Sequence, residues 1–394
     1  MAADTTTRVL YSFPQKLGAD RVCYTAWEQV VGLARAGADV SAYVGVLHRP
    51  VPASVHVTQT LALGKARISY KAVGRNRALA LHDANVAARL RRVHDRVDVL
   101  HGWPLGARRS LRAARRSKLP TLLERPNAHT AYAYEVVRHE SARLGVELPS
   151  GSEHAYDAEV LRVEEEEYRL ADYLLCPSAF VESTFLDRGF PASKLLRHSY
   201  GYDEARFHPE PDRVRNGEGD GLTMLFAGYA AVRKGLHFAL EAWLDSSARR
   251  EGRFLIAGDI LPAYRERLGT MLAEPSVQVL GHRDDVPELM RRSDVLVLPT
   301  LEEGFPLVCV EGVASGCVPL VSEVCTDVCR HGENALVHPV GDVAALTEHI
   351  STLDRDRELL ARLRRAALEV AADYTWGRAT DRLLAAYRHA CGAG

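Results

Sequence analysis

The sequence predicts an α/β protein built from two doubly wound parallel-sheet domains, and three observations support this prediction. The chain has 394 residues, which is too long for one ordinary core and suits two domains. Short apolar strands alternate with helix-length amphipathic segments, and this alternation runs twice, on either side of a polar, glycine-rich stretch at 213–221. We therefore expect an N-terminal domain over 1–205, completed by a last helix at 375–394, and a C-terminal domain over 206–374.

The N-terminal half begins with an apolar strand at 8–13. A loop over 17–20 and a helix over 21–36 follow it. Because these segments are short and alternate regularly, we expect the strands to pair in one parallel sheet. Further strands are predicted at 38–44, 97–102, 120–124, 173–176 and 195–200.

The C-terminal half shows the same alternation with clearer strands. The run 294–300 is almost wholly apolar, as expected of a strand that a parallel sheet buries on both faces. Two such sheets in tandem predict a cleft facing the carboxyl ends of both sets of strands, where ligands of open α/β sheets bind. Strands are predicted at 222–227, 254–257, 277–280, 295–298, 318–321 and 335–337.

Composition excludes several classes of function. Apolar residues make up 47% and charged residues 26% of the chain, as in a soluble globular enzyme. The 50 basic and 51 acidic side chains leave a formal charge of −1, so no global field favours nucleic acid, and we predict no nucleic-acid partner. No apolar run is long enough to span a bilayer, and the first seven residues lack the apolar core of a signal peptide, so we expect a cytoplasmic protein.

The seven cysteines are scattered through apolar stretches and do not suggest a disulfide framework. Cys325 and Cys329 form the only close pair in the sequence. No cluster of His or Cys residues at metal-ligand spacing lies nearby, so we expect core and helix-start residues rather than metal ligands.

The stretch 303–311 holds two carboxylates, Glu303 and Glu311, where an apolar strand turns into a helix. The helix is predicted to begin near Pro306, whose missing N–H costs nothing in a first turn. The free backbone N–H groups of this turn should point out of the carboxyl edge of the sheet and favour an anionic or hydroxyl-rich ligand. The structural alternative is an acidic helix start with one solvated glutamate. The amides concerned belong to Gly304, Phe305 and Leu307.

Seven segments occur in an order that is typical of one enzyme family. In chain order they are 200–203 with Phe207 and Pro209, 226–228 with 233–235, 280–282, 294–300, 303–311, 314–319, and 332–334 with 341–342. Together they resemble the retaining glycosyltransferases of family 4, which have the GT-B architecture of two facing Rossmann-like domains. The resemblance covers most of the chain and is strongest over 199–342.

The resemblance implies a nucleotide-sugar donor and assigns roles to four charged residues. Lys234 and Arg233 would stabilise the negative charge that develops on the leaving phosphate. Glu303 would bind hydroxyls of the transferred sugar, and Glu311 would bind the ribose hydroxyls through both oxygens. The family usually has an arginine where this chain has Tyr229, so we expect Lys234 to be the main cation and Arg233 to be a candidate substitute.

Other donor contacts implied by the resemblance come from backbone and loop positions. The turn 304–307 would hold the sugar and the distal phosphate through its amides. Gly18 would let the N-terminal domain's backbone approach the diphosphate, since a side chain there would block it. The base is expected near Gly281 and His282, and it could be uracil, guanine or adenine.

One of the 16 histidines, His129, matches a loop position where the family often carries a histidine lining the sugar pocket. Its expected role is to position or polarise sugar and acceptor hydroxyls. His101 at the end of a strand is a rival for this role. For either residue the alternative is a hydrogen-bonded structural histidine.

The resemblance implies a reaction on one face of the sugar, in which the leaving phosphate helps to deprotonate the acceptor. No protein base, metal ion or other cofactor is then expected, with Lys234 and Arg233 in place of a divalent ion. The acceptor would be a hydroxyl or amine of a small molecule, glycan or lipid. A GT-B sugar-nucleotide epimerase or hydrolase is one alternative. A transferase-like nucleotide-binding subunit without activity of its own is another, which Tyr229 keeps open.

A basic segment at 105–118 raises the question of a membrane. Such a helix could dock on anionic lipid and give weak membrane association. The alternative is a solvated basic face offset by the glutamates at 164–167. The cations of the segment are Arg108, Arg109, Arg112, Arg115, Arg116 and Lys118.

Overall fold

The computed structural model describes residues 6–63, 66–67, 73–152, 154–210 and 221–392. The chain divides into two compact units. Unit 1 comprises Met1–Thr130, Asp157–Tyr200 and Trp376–Gly394, and unit 2 comprises Ala131–Tyr156 and Gly201–Thr375. Apart from Gly221, the linker predicted at 213–221 lies outside the described residues.

The strands of the two units follow one another along the chain. They are β1 (Arg8–Leu17), β2 (Asp39–Leu47), β3 (His56–Gln59), β4 (Ala62–Leu63), β5 (Ala66–Arg67), β6 (Val99–Gly102), β7 (Thr121–Glu124), β8 (Tyr173–Cys176), β9 (Leu195–Arg197), β10 (Thr223–Ala227), β11 (Arg253–Ala257), β12 (Val277–Gly281), β13 (Val295–Leu298), β14 (Val318–Ser322) and β15 (Leu336–His338).

The helices lie between these strands and after the last one. They are α1 (Val22–Arg35), α2 (Arg75–Val93), α3 (Arg108–Arg116), α4 (Thr130–Leu144), α5 (Ala158–Leu170), α6 (Ala179–Leu186), α7 (Leu236–Asp245), α8 (Pro262–Leu268), α9 (Val286–Arg292), α10 (Leu307–Ala314), α11 (Val343–Arg355), α12 (Arg357–Ala371) and α13 (Trp376–Ala390). Among the described residues, no helix is both long enough and apolar enough to cross a membrane.

The main sheet of unit 1 has the strand order β3-β2-β1-β6-β7-β8-β9 among the described residues, and every neighbouring pair is parallel. The sequence predicted all of these strands except β3. That strand lies at the edge of the sheet, and three of its four residues are exposed. It therefore lacks the apolar pattern that marks a buried strand. β4 and β5 form a separate antiparallel pair.

The sheet of unit 2 has the order β12-β11-β10-β13-β14-β15 and is also parallel throughout. Every residue of β10, β13 and β14 is buried, as expected of strands covered on both faces. Strands β11 and β12 are added on one side of β10, and the chain then crosses to the other side of β10, where β13, β14 and β15 are added. The loops after β10 and β13 are therefore neighbours at the carboxyl edge, where the strand order reverses.

These two sheets confirm the predicted fold class of two Rossmann-like, doubly wound parallel-sheet domains. Helix α10 lies close against β13, because a Cβ atom on Gly312 would come within 2.7 Å of the Leu296 side chain. The last helix, α13, belongs to unit 1 and buries Leu383 and Tyr387 in that unit's core.

The stretch 131–156 belongs to unit 2, whereas the sequence analysis included it in the N-terminal domain. The reason is a set of tertiary contacts. His237 Nε2 lies 2.8 Å from Glu140 Oε1, and Arg267 Nε donates to the Leu144 carbonyl oxygen at 3.1 Å. Leu144 and Val146 are buried in the hydrophobic core of unit 2. Local periodicity carries no information about these partners.

Candidate active site

Two loops at the carboxyl edge of the unit 2 sheet are fastened together. Leu301 N donates to the Arg233 carbonyl oxygen at 2.8 Å, and Thr300 Oγ1 donates to the same oxygen at 2.9 Å. Gly235 has φ +66°, and a Cβ atom there would lie 1.9 Å from the Pro299 carbonyl oxygen. The loop after β10 therefore lies directly on the loop after β13, and this contact requires glycine.

This junction brings two cations onto one carboxylate. Lys234 Nζ forms an ion pair with Glu303 Oε2, and Arg233 Nη1 lies 3.0 Å from the same oxygen. Arg233 Nη1 is also 3.3 Å from Glu302 Oε1. The Glu303 side chain is 7% exposed and that of Lys234 is 17% exposed. The cluster is therefore largely shielded from water, which strengthens each of its charge interactions.

The cations keep both glutamates ionised. Burial by itself raises the pKa of Glu303, but the charges and hydrogen bonds of Arg233 and Lys234 outweigh burial and lower that pKa to about 2. Burial likewise opposes ionisation of Glu302, and Arg233 followed by His154 lowers its pKa below the ordinary value. At neutral pH the cluster thus offers two fixed carboxylates and two fixed cations.

His154 is a member of this cluster that sequence reasoning missed. Its Nε2 lies 3.0 Å from Glu302 Oε1, and its side chain is 8% exposed. The residue adopts φ 70°, which is uncommon for a residue other than glycine. The sequence around His154 contains no recognisable motif. Its partner Glu302 lies in a distant part of the chain, so only the folded structure brings the two residues together.

The turn after Glu303 leads into α10 as the sequence predicted. Pro306 caps the helix, which runs over Leu307–Ala314, and Gly304 and Phe305 are buried. Among the described residues, no oxygen accepts a hydrogen bond from the N–H groups of Gly304 and Leu307. Two donors at a helix N-terminus are thus available to an anion or a hydroxyl.

Glu311 lies half-buried in the second turn of α10. Its carboxylate forms no hydrogen bond or ion pair with any residue that the structure describes. Burial raises the pKa of Glu311 to about 7, with Arg206 lowering it and Asp203 raising it to smaller extents. The side chain therefore changes charge near neutral pH.

Gly281 and His282 lie at the end of β12, at the far edge of the same sheet. Gly281 has φ +66°, and its carbonyl oxygen accepts a hydrogen bond from Gly258 N at 2.7 Å. The His282 side chain is 77% exposed, and its Nε2 is 3.7 Å from Asp284 Oδ1. Strands β11 and β10 lie between this edge and β13, and no hydrogen bond or ion pair among the described residues joins Gly281 or His282 to the Glu303 cluster.

In unit 1, Gly18 follows β1 with φ +86°. A Cβ atom there would come within 2.6 Å of Arg49 Cβ, so a close neighbour within the unit already requires glycine. His101 is completely buried, with Nδ1 2.7 Å from Tyr387 Oη and Nε2 3.2 Å from Glu124 Oε2. These contacts are those of a hydrogen-bonded structural histidine.

His129 lies in an aromatic cluster of unit 1 and is 3% exposed. Its ring meets Tyr168 and Phe185 edge-on, with centroid distances of 5.1 Å to each. Burial, together with the charges of Arg125 and Arg188, lowers the pKa of His129 to about 3. The imidazole is therefore neutral at pH 7, and its role in binding a sugar stays a prediction.

A known protein family matches part of unit 2. Residues 221–356 match the family described as Glycosyl transferases group 1, and this range contains β10 to β15 and the Glu303 cluster. This part of the chain is a glycosyl transferases group 1 domain. The family prediction made from the sequence is thereby confirmed for the domain that carries the candidate site.

Curated relatives and solved structures extend the comparison. D-inositol 3-phosphate glycosyltransferase 1 from Catenulispora acidiphila is 36% identical over 215 residues, which cover 49% of this chain and 51% of the relative. The chain spans about half, or less, of the length of the first curated relatives it matches.

Two solved structures match nearly the whole chain. Sucrose-phosphate synthase from Thermosynechococcus elongatus has a TM-score of 0.72 at 19% identity and covers 99% of this chain and 100% of its own. Anabaena HepE in complex with UDP and glucose has a TM-score of 0.67 at 16% identity, with coverages of 97% and 100%. At such identities the likeness concerns the fold, and it confirms the predicted GT-B fold.

Within the glycosyl transferases group 1 domain, Tyr229 holds the position where the resemblance led us to expect an arginine. Its side chain is 41% exposed, just after β10. Arg233 instead reaches the carboxylates of Glu302 and Glu303. Whether Arg233 takes over the role of the missing arginine stays a prediction.

No group of three or more His, Cys, Asp or Glu side chains in the described part of the chain is arranged to hold a metal ion. The expectation of a metal-independent reaction stays a prediction. In unit 1, the basic helix α3 is partly neutralised, since both Arg108 and Arg112 form ion pairs with Glu166.

Proposed function

We propose that the chain is a retaining glycosyltransferase that moves a sugar from a nucleoside-diphosphate donor to a hydroxyl or amine of an acceptor. The observation that carries the proposal is the pairing of Lys234 and Arg233 with Glu303 where the strand order of the unit 2 sheet reverses. Ligands of open parallel sheets bind outside the strand ends at such a reversal. The site also lies inside the glycosyl transferases group 1 domain.

The cations suit the leaving group of this reaction. Breaking the bond between the anomeric carbon and the diphosphate develops negative charge on the phosphate oxygen. Lys234 and Arg233 are already desolvated and held in place by Glu303, so they need little reorganisation to stabilise that charge. The amides of Gly304 and Leu307 add neutral donors for the sugar or the distal phosphate. On this proposal no divalent ion is needed.

The carboxylates suit the neutral parts of the donor. Glu303 is ionised and nearly buried, so it accepts hydrogen bonds from sugar hydroxyls strongly. Glu311 offers two oxygens without a protein partner among the described residues, which suits the paired hydroxyls of a ribose. In the proposed reaction the leaving phosphate accepts the acceptor's proton, so no protein base takes part.

The names of similar proteins guide the choice of first substrates. HepE is described in complex with UDP and glucose, and the Catenulispora relative is named for D-inositol 3-phosphate. We propose UDP-glucose as the first donor to test, and small-molecule, glycan and lipid acceptors thereafter. Unit 1 is proposed to bind the acceptor.

The test is a panel of UDP-, GDP- and ADP-sugars, with release of the free nucleoside diphosphate followed with and without acceptors. A transferase releases nucleotide slowly without acceptor and rapidly with the correct one. NMR of the product should then show an anomeric configuration unchanged from the donor, and EDTA should leave the rate unchanged.

Other outcomes contradict the proposal in distinguishable ways. Interconversion of sugars without nucleotide release would indicate an epimerase. Nucleotide binding without turnover on any donor would indicate a binding subunit. An inverted product would remove the retaining mechanism while leaving the transferase activity.

A further inference from the structure

Three cysteines of unit 2 lie together beside the proposed donor site. Cys309 is the third residue of α10, and Cys325 and Cys329 lie in the loop between β14 and β15. The Sγ atoms of Cys309 and Cys329 are 3.4 Å apart, and Cys325 shares a hydrogen bond with Cys309. We call these three residues the thiol cluster. The sequence shows only Cys325 and Cys329 as a close pair, and the third member, Cys309, lies 20 residues from Cys329.

The three thiols of the cluster are all buried, but to different degrees. Cys309 and Cys325 are completely buried, whereas Cys329 is 8% exposed. A small uncharged oxidant therefore reaches the thiol cluster from the side of Cys329. Asn334 holds the loop in place, since its Nδ2 donates to the Val328 carbonyl oxygen at 2.8 Å and its Oδ1 accepts from Arg330 N at 2.7 Å.

The surroundings of Cys309 favour a nucleophilic sulfur. Hydrogen bonds from Cys325 and Cys329 lower the pKa of the Cys309 thiol, and these outweigh the opposing effect of burial. Its place in the first turn of α10 acts in the same direction, because a helix N-terminus stabilises a thiolate. Lys234 contributes a further favourable charge. A second sulfur in contact makes disulfide formation direct.

We propose that Cys309 and Cys329 form a reversible disulfide under hydrogen peroxide, and that this bond weakens nucleotide binding at the neighbouring Lys234–Glu303 site. The proposed disulfide is supported by the geometry of the thiol cluster and does not depend on the proposed function. Its effect on nucleotide binding rests on the proposed function.

The chemistry balances with peroxide as the only oxidant. The Cys309 sulfur attacks one peroxide oxygen, the O–O bond breaks, and the departing hydroxide takes the S–H proton and leaves as water. Cys309 is then a sulfenic acid. The Cys329 sulfur attacks the Cys309 sulfur, the S–O bond breaks, and the second hydroxide takes the Cys329 proton. Two thiols lose two electrons, and peroxide is reduced to two waters.

The bond would displace the helix that forms the donor site. A disulfide needs its sulfurs about 2.05 Å apart, so the pair must approach by about 1.4 Å from its present 3.4 Å. Cys309 lies in α10, two residues after the turn 304–307 and two residues before Glu311. A displacement of about 1 Å at groups that position a substrate is enough to lower activity by about a hundredfold.

The experiment treats the full chain with hydrogen peroxide, alkylates the remaining thiols, and maps linked peptides by mass spectrometry without reduction. We expect a Cys309–Cys329 linkage that dithiothreitol reverses. UDP binding by calorimetry should weaken at least about tenfold on oxidation and return on reduction. Cys329→Ser should keep its UDP affinity under peroxide. Cys391→Ser, which removes the exposed cysteine of unit 1, should give no protection.

Specific results would overturn the proposal. Oxidation of Cys391 with Cys309 and Cys329 still free, or a linkage of Cys309 to Cys325, excludes the proposed disulfide. A fully linked protein that binds UDP as tightly as the reduced protein excludes the effect on the donor site. If the reduced protein binds no nucleoside diphosphate, the proposed function fails, and the peptide map still decides the disulfide.

Discussion

Replacing Lys234 with alanine tests the proposed donor site most directly. The change removes the ammonium group that pairs with Glu303, while Arg233 Nη1 remains 3.0 Å from that carboxylate. Glu303 therefore keeps one cation, and the two loops keep their backbone contacts through Arg233 and Leu301. We expect a folded protein with an impaired active site.

The size of both effects follows from the structure. The pKa of Glu303 falls from an ordinary value of about 4.3 to about 2, which corresponds to about 3 kcal/mol of net charge stabilisation by two cations. Because the burial penalty on Glu303 remains when one cation is lost, the free energy of unfolding should fall by at least about 1.5 kcal/mol. Removing a charge partner of the transition state should lower kcat/KM by about a hundredfold or more.

The assay combines initial rates of nucleoside diphosphate release with urea unfolding of the same preparations. Arg250→Ala is a suitable control, since Arg250 is an exposed cation of unit 2, and it should leave both quantities unchanged. Lys234→Arg should recover part of the rate. If Lys234→Ala turns over at a near-normal rate while folded, Lys234 is not the cation that stabilises the leaving phosphate.

Three further predictions concern single groups. Because the pKa of Glu311 is raised to about 7, its carboxylate forms as pH rises through that value. The KM for the donor should therefore fall from pH 6 to pH 8. A profile of KM against pH should show that Glu311→Gln abolishes this dependence. Gly235→Ala should separate the two site loops, because its Cβ would lie 1.9 Å from the Pro299 carbonyl oxygen. Titration calorimetry should show that UDP binding is lost, and scanning calorimetry should show only a small fall in the melting temperature. The folded-state pKa of Glu303 lies below its unfolded value, so its stabilising contribution is complete above about pH 4.3 and is lost as pH falls toward 2. Urea unfolding should show that the difference in unfolding free energy between wild type and Glu303→Gln becomes smaller over that range.

The thiol cluster and the Glu303 cluster share one structural origin. The Glu303 cluster forms where the loop after β10 meets the loop after β13, which leads into α10. The thiol cluster forms where the loop after β14 meets α10 itself. Nucleotide binding and thiol oxidation are therefore expected to influence each other. Protection of Cys329 from peroxide by bound UDP would be the reciprocal effect.

The sequence by itself determined the buried strands of the two main sheets, the order of the motifs and the fold class. A strand such as β13 is buried on both faces, so its apolar run is visible without any knowledge of its neighbours. The turn at Pro306 and the two glutamates around it were also local features. The exposed edge strand His56–Gln59 was missed for the same reason, since it has no buried face to leave a pattern.

Only the tertiary structure decided which side chains share a site. Lys234 and Glu303 are 69 residues apart, and their ion pair depends on how two loops meet at the reversal of strand order. The contact of His154 with Glu302 and the contact of Cys309 with Cys329 likewise join residues from separate segments of the chain. Local periodicity reports whether a segment is buried, whereas a contact between distant segments depends on the register and order of the strands that carry them.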